Sequence, residues 1–413
     1  MKKVIFHLAL FFSFSMFLSA ENFFTMNERN EDDQFEYAVD SYVESLSESA
    51  FVSQLFLVNI EGNKKYAPVE HDEYGRPVVP GGVLLFSFNV AETPEEIIEF
   101  TDSIEDFCTK ENVPNAYVAI DQEGGIVNRL RNITSSLPSS KKVAELYSPG
   151  KAHELYSNQA VQLACLGITM NIAPVVEPIL ESNEQFLGSR SFGKVPDSIV
   201  YGIECMTAYE NNGVATVVKH FPGNTNTDPH VGLPKITMTD EEIARNLLIP
   251  FAFIIAKNPS CILMSHTLVE GHDENTPACL SSYWIKDILR EKLKFKGLIV
   301  SDDIFMGALS DHGFPTEVAV VQTILNGTDV LMLSEKKFYS AAKTLLEESR
   351  KNPELKKRME IAVKNVIGFK IKRGILTLEK SNGIFKVVNR SLNSGISVEQ
   401  RLENFQKAKG AFK

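Results

Sequence analysis

The chain has no excess of positive charge: 42 Lys and Arg against 53 Asp and Glu leave a formal net charge of −11. Apart from a modest cluster near residues 351–373, no basic run interrupts that balance. Nucleic acid is therefore not an expected partner, since phosphate backbones are bound through clustered cations. Cysteine is scarce. The five present (Cys108, Cys165, Cys205, Cys261 and Cys279) are odd in number and lack metal-ligand spacing, which reads as buried free thiols with at most one bridged pair. A Gly-rich dinucleotide fingerprint after the first strand, a phosphate-cradling loop and a Ser or Cys nucleophile motif are also missing. What remains is 44% apolar and 23% charged, with 24 Gly and 18 Pro, an ordinary globular profile that excludes collagen-like, coiled-coil and mostly disordered chains.

Lys2 and Lys3 followed by the apolar stretch Val4–Leu18 and the small pair Ser19-Ala20 read as a signal peptide cleaved near Ala20. Export to the periplasm or the exterior is the expectation. The rival, an uncleaved anchor, is disfavoured because the apolar stretch is shorter than the ~20 residues a span needs. No Cys near the cleavage point supports a lipid anchor, and no long apolar run recurs, so no stable membrane insertion is expected after cleavage.

Eight short apolar runs alternate with segments of helical periodicity: 51–60, 83–90, 116–121, 168–175, 215–220, 261–267, 297–302 and 328–334. Eight strand–helix repeats over this length predict an α/β fold, a single TIM-like (β/α)8 barrel. A doubly wound open sheet is the runner-up. The expected layout is a signal peptide at 1–20, a polar extension at 21–45, the barrel at 46–375 and a peripheral tail at 376–413.

In such a barrel the chemistry sits at the C-terminal ends of the strands. The third run ends in Asp121-Gln122-Glu123-Gly124-Gly125, with Arg129 shortly after. The loop after the fourth carries Gly188-Ser189-Arg190-Ser191-Phe192-Gly193. The fifth ends in Lys219-His220-Phe221-Pro222-Gly223 and runs on to Asp228-Pro229-His230; the sixth ends in Ser265-His266 and the seventh in Ser301-Asp302-Asp303. Taken singly, Asp121 could cap a turn, Lys219-His220 could be a satisfied core pair and Asp302-Asp303 could cap a helix. His71-Asp72 and His272-Asp273 look metal-like but lack a third ligand, and read as solvated loops. Five consecutive strand ends bearing charge point to group transfer on a hydroxyl-rich ligand, where several side chains grip sugar hydroxyls and a carboxylate attacks an anomeric carbon.

The ordered set formed by these motifs, with Leu263-Met264-Ser265-His266 and Leu298-Ile299-Val300-Ser301-Asp302-Asp303-Ile304-Phe305-Met306, resembles glycoside hydrolase family 3, in its NagZ-like β-N-acetylglucosaminidase branch, over roughly residues 50–335. The resemblance implies a retaining exo-glycosidase (a β-N-acetylhexosaminidase) that removes terminal β-linked N-acetylglucosamine without a metal or organic cofactor. Its substrate would be an N-acetylglucosamine-containing oligosaccharide or muropeptide. By position, Asp302 matches the nucleophile, His230 the acid/base and Asp228 the carboxylate that orients it. Asp121, Arg129, Arg190, Lys219 and His220 match the groups that hold the terminal sugar. The sequence departs from the family in the segment Asn224-Thr225-Asn226-Thr227-Asp228-Pro229-His230, which is shorter and puts a Pro between the dyad members. Pro229 fixes its own φ and biases Asp228 toward extended backbone, so the dyad loop is expected to be stiff. A phosphorylase, a β-hexosidase of other preference and a non-catalytic sugar-binding barrel are the alternatives.

Overall fold

The computed structural model describes residues 33–228, 232–305, 307–381, 384–390 and 395–411. The proposed signal peptide lies outside them. Each of the eight apolar runs yields a strand: β1 (Phe56–Asn59), β2 (Gly82–Leu85), β3 (Tyr117–Ile120), β4 (Met170–Asn171), β5 (Ala215–Phe221), β6 (Cys261–Met264), β7 (Leu298–Val300) and β8 (Leu331–Leu333). All neighbours are parallel, in the order β7-β6-β5-β4-β3-β2-β1-β8. A parallel bridge between Val300 and Val330 brings the two ends together, so the sheet is a nearly closed barrel and not an open doubly wound sheet. Alternation decides which side chains fill it. Tyr117 and Ala119, Ala215 and Val217, Cys261 and Leu263, and Leu298 and Val300 form the inner core. Their neighbours in the strands, such as Val83, Leu85, Val118 and Ile120, pack outward against helices.

The helices start where capping chemistry allows. Thr93 and Glu96 form a capping box ahead of Pro94, opening the helix Pro94–Glu111, and Ser148 caps Pro149–Cys165. Several boundaries differ from the sequence reading. Phe51–Ser53 end a helix, Glu48–Ser53, whose first turn is capped by Ser47, so the first strand is much shorter than its apolar run. The fourth run forms a regular strand only over Met170–Asn171, with an isolated parallel bridge from Val175 to Lys219 beyond it. Pro174 follows closely and has no N–H to give to a ladder.

Residues 389–413 group with 46–377, whereas the residues up to 45 and 378–388 form a separate unit. The latter contains a helix over 33–44 and most of a strand pair, Thr377–Ser381 with Ile384–Val388. The expectation of a peripheral tail needs correction. Val398–Ala411 is a helix that buries Arg401, Phe405 and Ala408, spaced for one face, and Arg401 pairs with Asp102 at 2.6 Å. Phe405 joins the outer core. The reading of His71-Asp72 as solvated holds for the exposed His71 but not for Asp72, which is buried and takes the Arg76 guanidinium at 2.7 Å plus the N–H groups of Tyr74 and Arg76. All five cysteines are free thiols. No helix among the described residues is long and apolar enough to cross a membrane.

Candidate active site

Immediately after β3 the chain makes a short hairpin, Gln122–Gly124 with Val127–Asn128. Gly124 adopts φ +101°, and a Cβ there would run into the Pro138 carbonyl, so only glycine fits the bend. Gln122 locks the hairpin: its Nε2 donates to Asn128 Oδ1 at 2.8 Å and its Oε1 accepts the Leu130 N–H at 3.1 Å. Its backbone N–H donates to Asn171 Oδ1 of β4 at 3.0 Å. This brace fixes the backbone that carries Asp121 and Glu123.

The Lys219 ammonium, buried at the end of β5, lies between the two carboxylates, 2.9 Å from Asp121 and 2.6 Å from Glu123. Arg190 grips Glu123 through two parallel bonds of 2.8 Å, from Nε and a terminal nitrogen. Two cations thus balance two anions at the mouth, which is what keeps buried charge tolerable. The carboxylates play unequal parts. Glu123 has only 2% side-chain exposure, whereas Asp121 keeps 27% and faces solvent. Despite its burial, Glu123 is held well below the usual carboxylate range by Lys219 and Arg190. Burial, with the Glu123 charge beside it, pushes Asp121 up against the pull of Lys219.

His220 follows Lys219 and turns to a carboxylate on a neighbouring strand's loop: Nδ1 donates to Glu177 Oε1 at 2.6 Å. The same oxygen accepts the His220 N–H and an Asn224 amide hydrogen, each at 3.2 Å. With Nδ1–H committed, Nε2 is the nitrogen left for a ligand. Arg129 stands apart from this network, its guanidinium 5.9 Å from the Phe86 ring centroid.

Across the mouth, Asp302 follows β7 directly and is half-buried, its Oδ1 accepting the Asp303 N–H at 2.9 Å. Asp303 faces β8 instead, where Oδ1 accepts the Ser334 N–H at 3.2 Å. The buried His266 sets its Nε2 3.1 Å from the Asp303 carbonyl and its Nδ1 3.1 Å from Cys279 Sγ. A carbonyl only accepts, so Nε2 carries the proton and Nδ1 takes the thiol hydrogen. Burial pulls the imidazole below its ordinary value and favours this neutral form, against the opposing pull of Asp302 and Asp303.

The structure thus brings together Asp121, Arg190, Lys219 and His220 at adjoining strand ends, with Asp302 at the end of β7. Asp228 lies exposed in the loop after β5, and His230 falls outside the described residues. Two participants escaped the sequence reading. Glu123 stood in the quoted motif, two residues from Asp121, a spacing that puts both on one side of extended backbone. Glu177 is an acid just past the fourth apolar run, at the strand-end level where functional side chains gather.

The Glycosyl hydrolase family 3 N terminal domain matches residues 52–368. A beta-hexosaminidase of Haemophilus influenzae (strain PittEE) is 32% identical over 285 residues, covering 67% of this chain and 78% of the relative. Beta-hexosaminidase A of Pseudoalteromonas piscicida is 30% identical over 276 residues, 61% of this chain but 45% of the relative, so the chain spans about half of that protein's length. Among solved structures, a family 3 β-N-acetylglucosaminidase from Paenibacillus sp. str. FPU-7 superposes with a TM-score of 0.74 at 25% identity, over 88% of this chain and 68% of the other. The parallel barrel, the charges gathered at its strand ends and these likenesses agree: the chain belongs to glycosyl hydrolase family 3, among its NagZ-like members, and is a glycoside hydrolase.

Proposed function

We propose that the protein is a retaining exo-β-N-acetylhexosaminidase that removes terminal β-linked N-acetylglucosamine. The observation that carries this reading is the balanced cluster of Asp121, Glu123, Arg190 and Lys219, a rigid, multiply charged cradle suited to a terminal sugar's hydroxyls. In the proposed path the Asp302 carboxylate attacks the anomeric carbon. The bond to the departing oxygen breaks, and that oxygen takes a proton from the His230 imidazolium. Water then attacks the glycosyl–Asp302 ester, giving its proton to His230 as the sugar leaves and the carboxylate is restored. Asp228 orients the imidazole and favours its charged form. The reading extends to an exported protein acting on cell-wall fragments or chitin-derived sugars, with mature protein starting near Glu21.

Hydrolysis of an aryl N-acetyl-β-glucosaminide, with and without inorganic phosphate, tests it. Release of N-acetylglucosamine, with the aryl β-glucoside turned over far more slowly, is the expected result. Equal or faster turnover of the glucoside overturns the sugar assignment. A sugar phosphate as the main product makes the enzyme a phosphorylase.

A further inference from the structure

The loop that carries Asp228 is tied down at both ends. On its return side, Lys235–Ile236 pair in parallel with Leu268–Val269 in the loop after β6. On its outgoing side, beyond the Asn224 contact with Glu177, the attachment nearest Asp228 is Asn226. Asn226 donates its backbone N–H to the Ser182 carbonyl at 2.7 Å and its Nδ2 hydrogen to the Glu181 carbonyl at 3.1 Å. Its Oδ1 accepts the N–H groups of Gln185 and Phe186, at 2.8 and 3.4 Å. These are the free donors at the start of the short helix Glu184–Leu187. That helix is not capped by its own Asn183, whose side chain is used on Leu180 and Pro178. Its cap arrives instead from a different barrel loop.

Two consequences follow from chain length. Asp228 lies two residues beyond Asn226, so it can sit no more than about 7 Å from that fixed point. Gly232 donates its N–H to the Asp228 carbonyl at 3.1 Å, a second fixed point for Asp228. In the other direction the capped helix runs directly into Gly188–Arg190, whose last residue grips Glu123. Asn226 therefore ties the Asp228 segment to the segment that presents Arg190 to the sugar cradle.

We propose that Asn226 is a positioning residue that sets the reach of the Asp228–His230 pair toward the departing oxygen. This rests on the reading of that pair as the acid/base. Misplacing a catalytic group by about 1 Å costs up to about a hundredfold, and the loss falls on the step that needs the proton.

The test compares Asn226→Ala, Asn226→Asp and His230→Ala in the full mature chain on 2,4-dinitrophenyl and phenyl N-acetyl-β-glucosaminides, with and without azide. Dinitrophenolate departs without protonation and phenolate does not. For Asn226→Ala, kcat/KM is expected to fall about tenfold further on the phenyl than on the dinitrophenyl substrate. Azide, which replaces the water that needs a base, is expected to raise its kcat on the dinitrophenyl substrate. Asn226→Asp keeps the acceptor for Gln185 and Phe186 and is expected to recover most of the phenyl activity. Equal losses on the two substrates, or none, with the leaving-group pattern present in His230→Ala, would overturn the role given to Asn226 alone. Absence of the pattern in His230→Ala would overturn the acid/base assignment and this proposal with it.

Discussion

Lys219 at the mouth of the barrel and Lys370 at its floor are both buried but differently partnered. Lys219 lies between two carboxylates. Lys370 reaches the neutral Gln54 Oε1, 2.6 Å away and just before β1, and lies 5.8 Å from the ring centroid of Tyr117 at the start of β3. Burial pulls the Lys370 ammonium down from 10.5 to about 7. The same side chain thus serves opposite ends: charge is compensated and held at the candidate site, and left to be shed where only packing is at stake. The comparison separates the residues whose loss should damage function from those whose loss should not.

Asp302→Asn tests the mouth most severely. It keeps the shape but removes the attacking anion, and turnover of every substrate is expected to fall by about a thousandfold or more, with no sugar adduct by intact mass. Lys219→Met comes next, since it leaves Asp121 and Glu123 facing each other without their shared cation. A stability loss of about 3–5 kcal/mol in urea unfolding is expected, together with a fall of about a hundredfold in kcat/KM. Full activity in this variant would break the comparison at its centre.

Glu177→Gln is milder. The amide still accepts the Nδ1–H of His220 but loses the charge behind it, a difference of about 1 kcal/mol between a charge-assisted and a neutral bond. A rise in KM with little change in folding stability is expected if Nε2 of His220 meets the sugar.

Lys370→Met sharpens the contrast from the other side. Between pH 7 and about 10.4 the unfolded chain keeps the lysine proton that the folded chain has lost, so this residue makes stability rise with pH, by at most about 1.4 kcal/mol per unit. Below pH 7 its full burial penalty is present. The variant is expected to be more stable than the parent at pH 6, to lose that advantage by pH 10, and to retain kcat/KM throughout. A parallel pH dependence in parent and variant would show that Lys370 does not carry the effect.

Much of this arrangement was legible before the structure. Strand runs and their polar ends could be read because burial imposes a period of two, which is how the strand-end positions of Asp121, Lys219 and Asp302 were legible. Glu123 and Glu177 were missed because a brace contacts other side chains, and its partners are 67 and 43 residues away in sequence for Arg190–Glu123 and His220–Glu177. The helix over Glu48–Ser53 hid inside an apolar run because local capping by Ser47 outweighed its strand-like composition. Val398–Ala411 escaped because its buried face is sparse in apolar residues: Phe405 and Ala408 are buried with Arg401, and Val398 and Leu402 are only partly buried.

The seam at which the barrel closes has a further consequence. Between β7 and β8 a short run of backbone bonds, with Val330 N–H donating to the Ile299 carbonyl at 3.1 Å and Ser301 N–H to the Val330 carbonyl at 2.9 Å, is reinforced by one buried carboxylate. Asp329 Oδ2 accepts the Ile299 N–H at 3.0 Å and pairs with Arg290, while Oδ1 holds Arg358 and Asn365. The strand that delivers Asp302 is therefore fastened on this side by backbone bonds and by a latch made from side chains. Deuterium exchange at the Ile299 amide should report on that latch and not on a neighbouring strand. Asp329→Ala should release it, loosening the wall beside Asp302 without altering any residue of the candidate site.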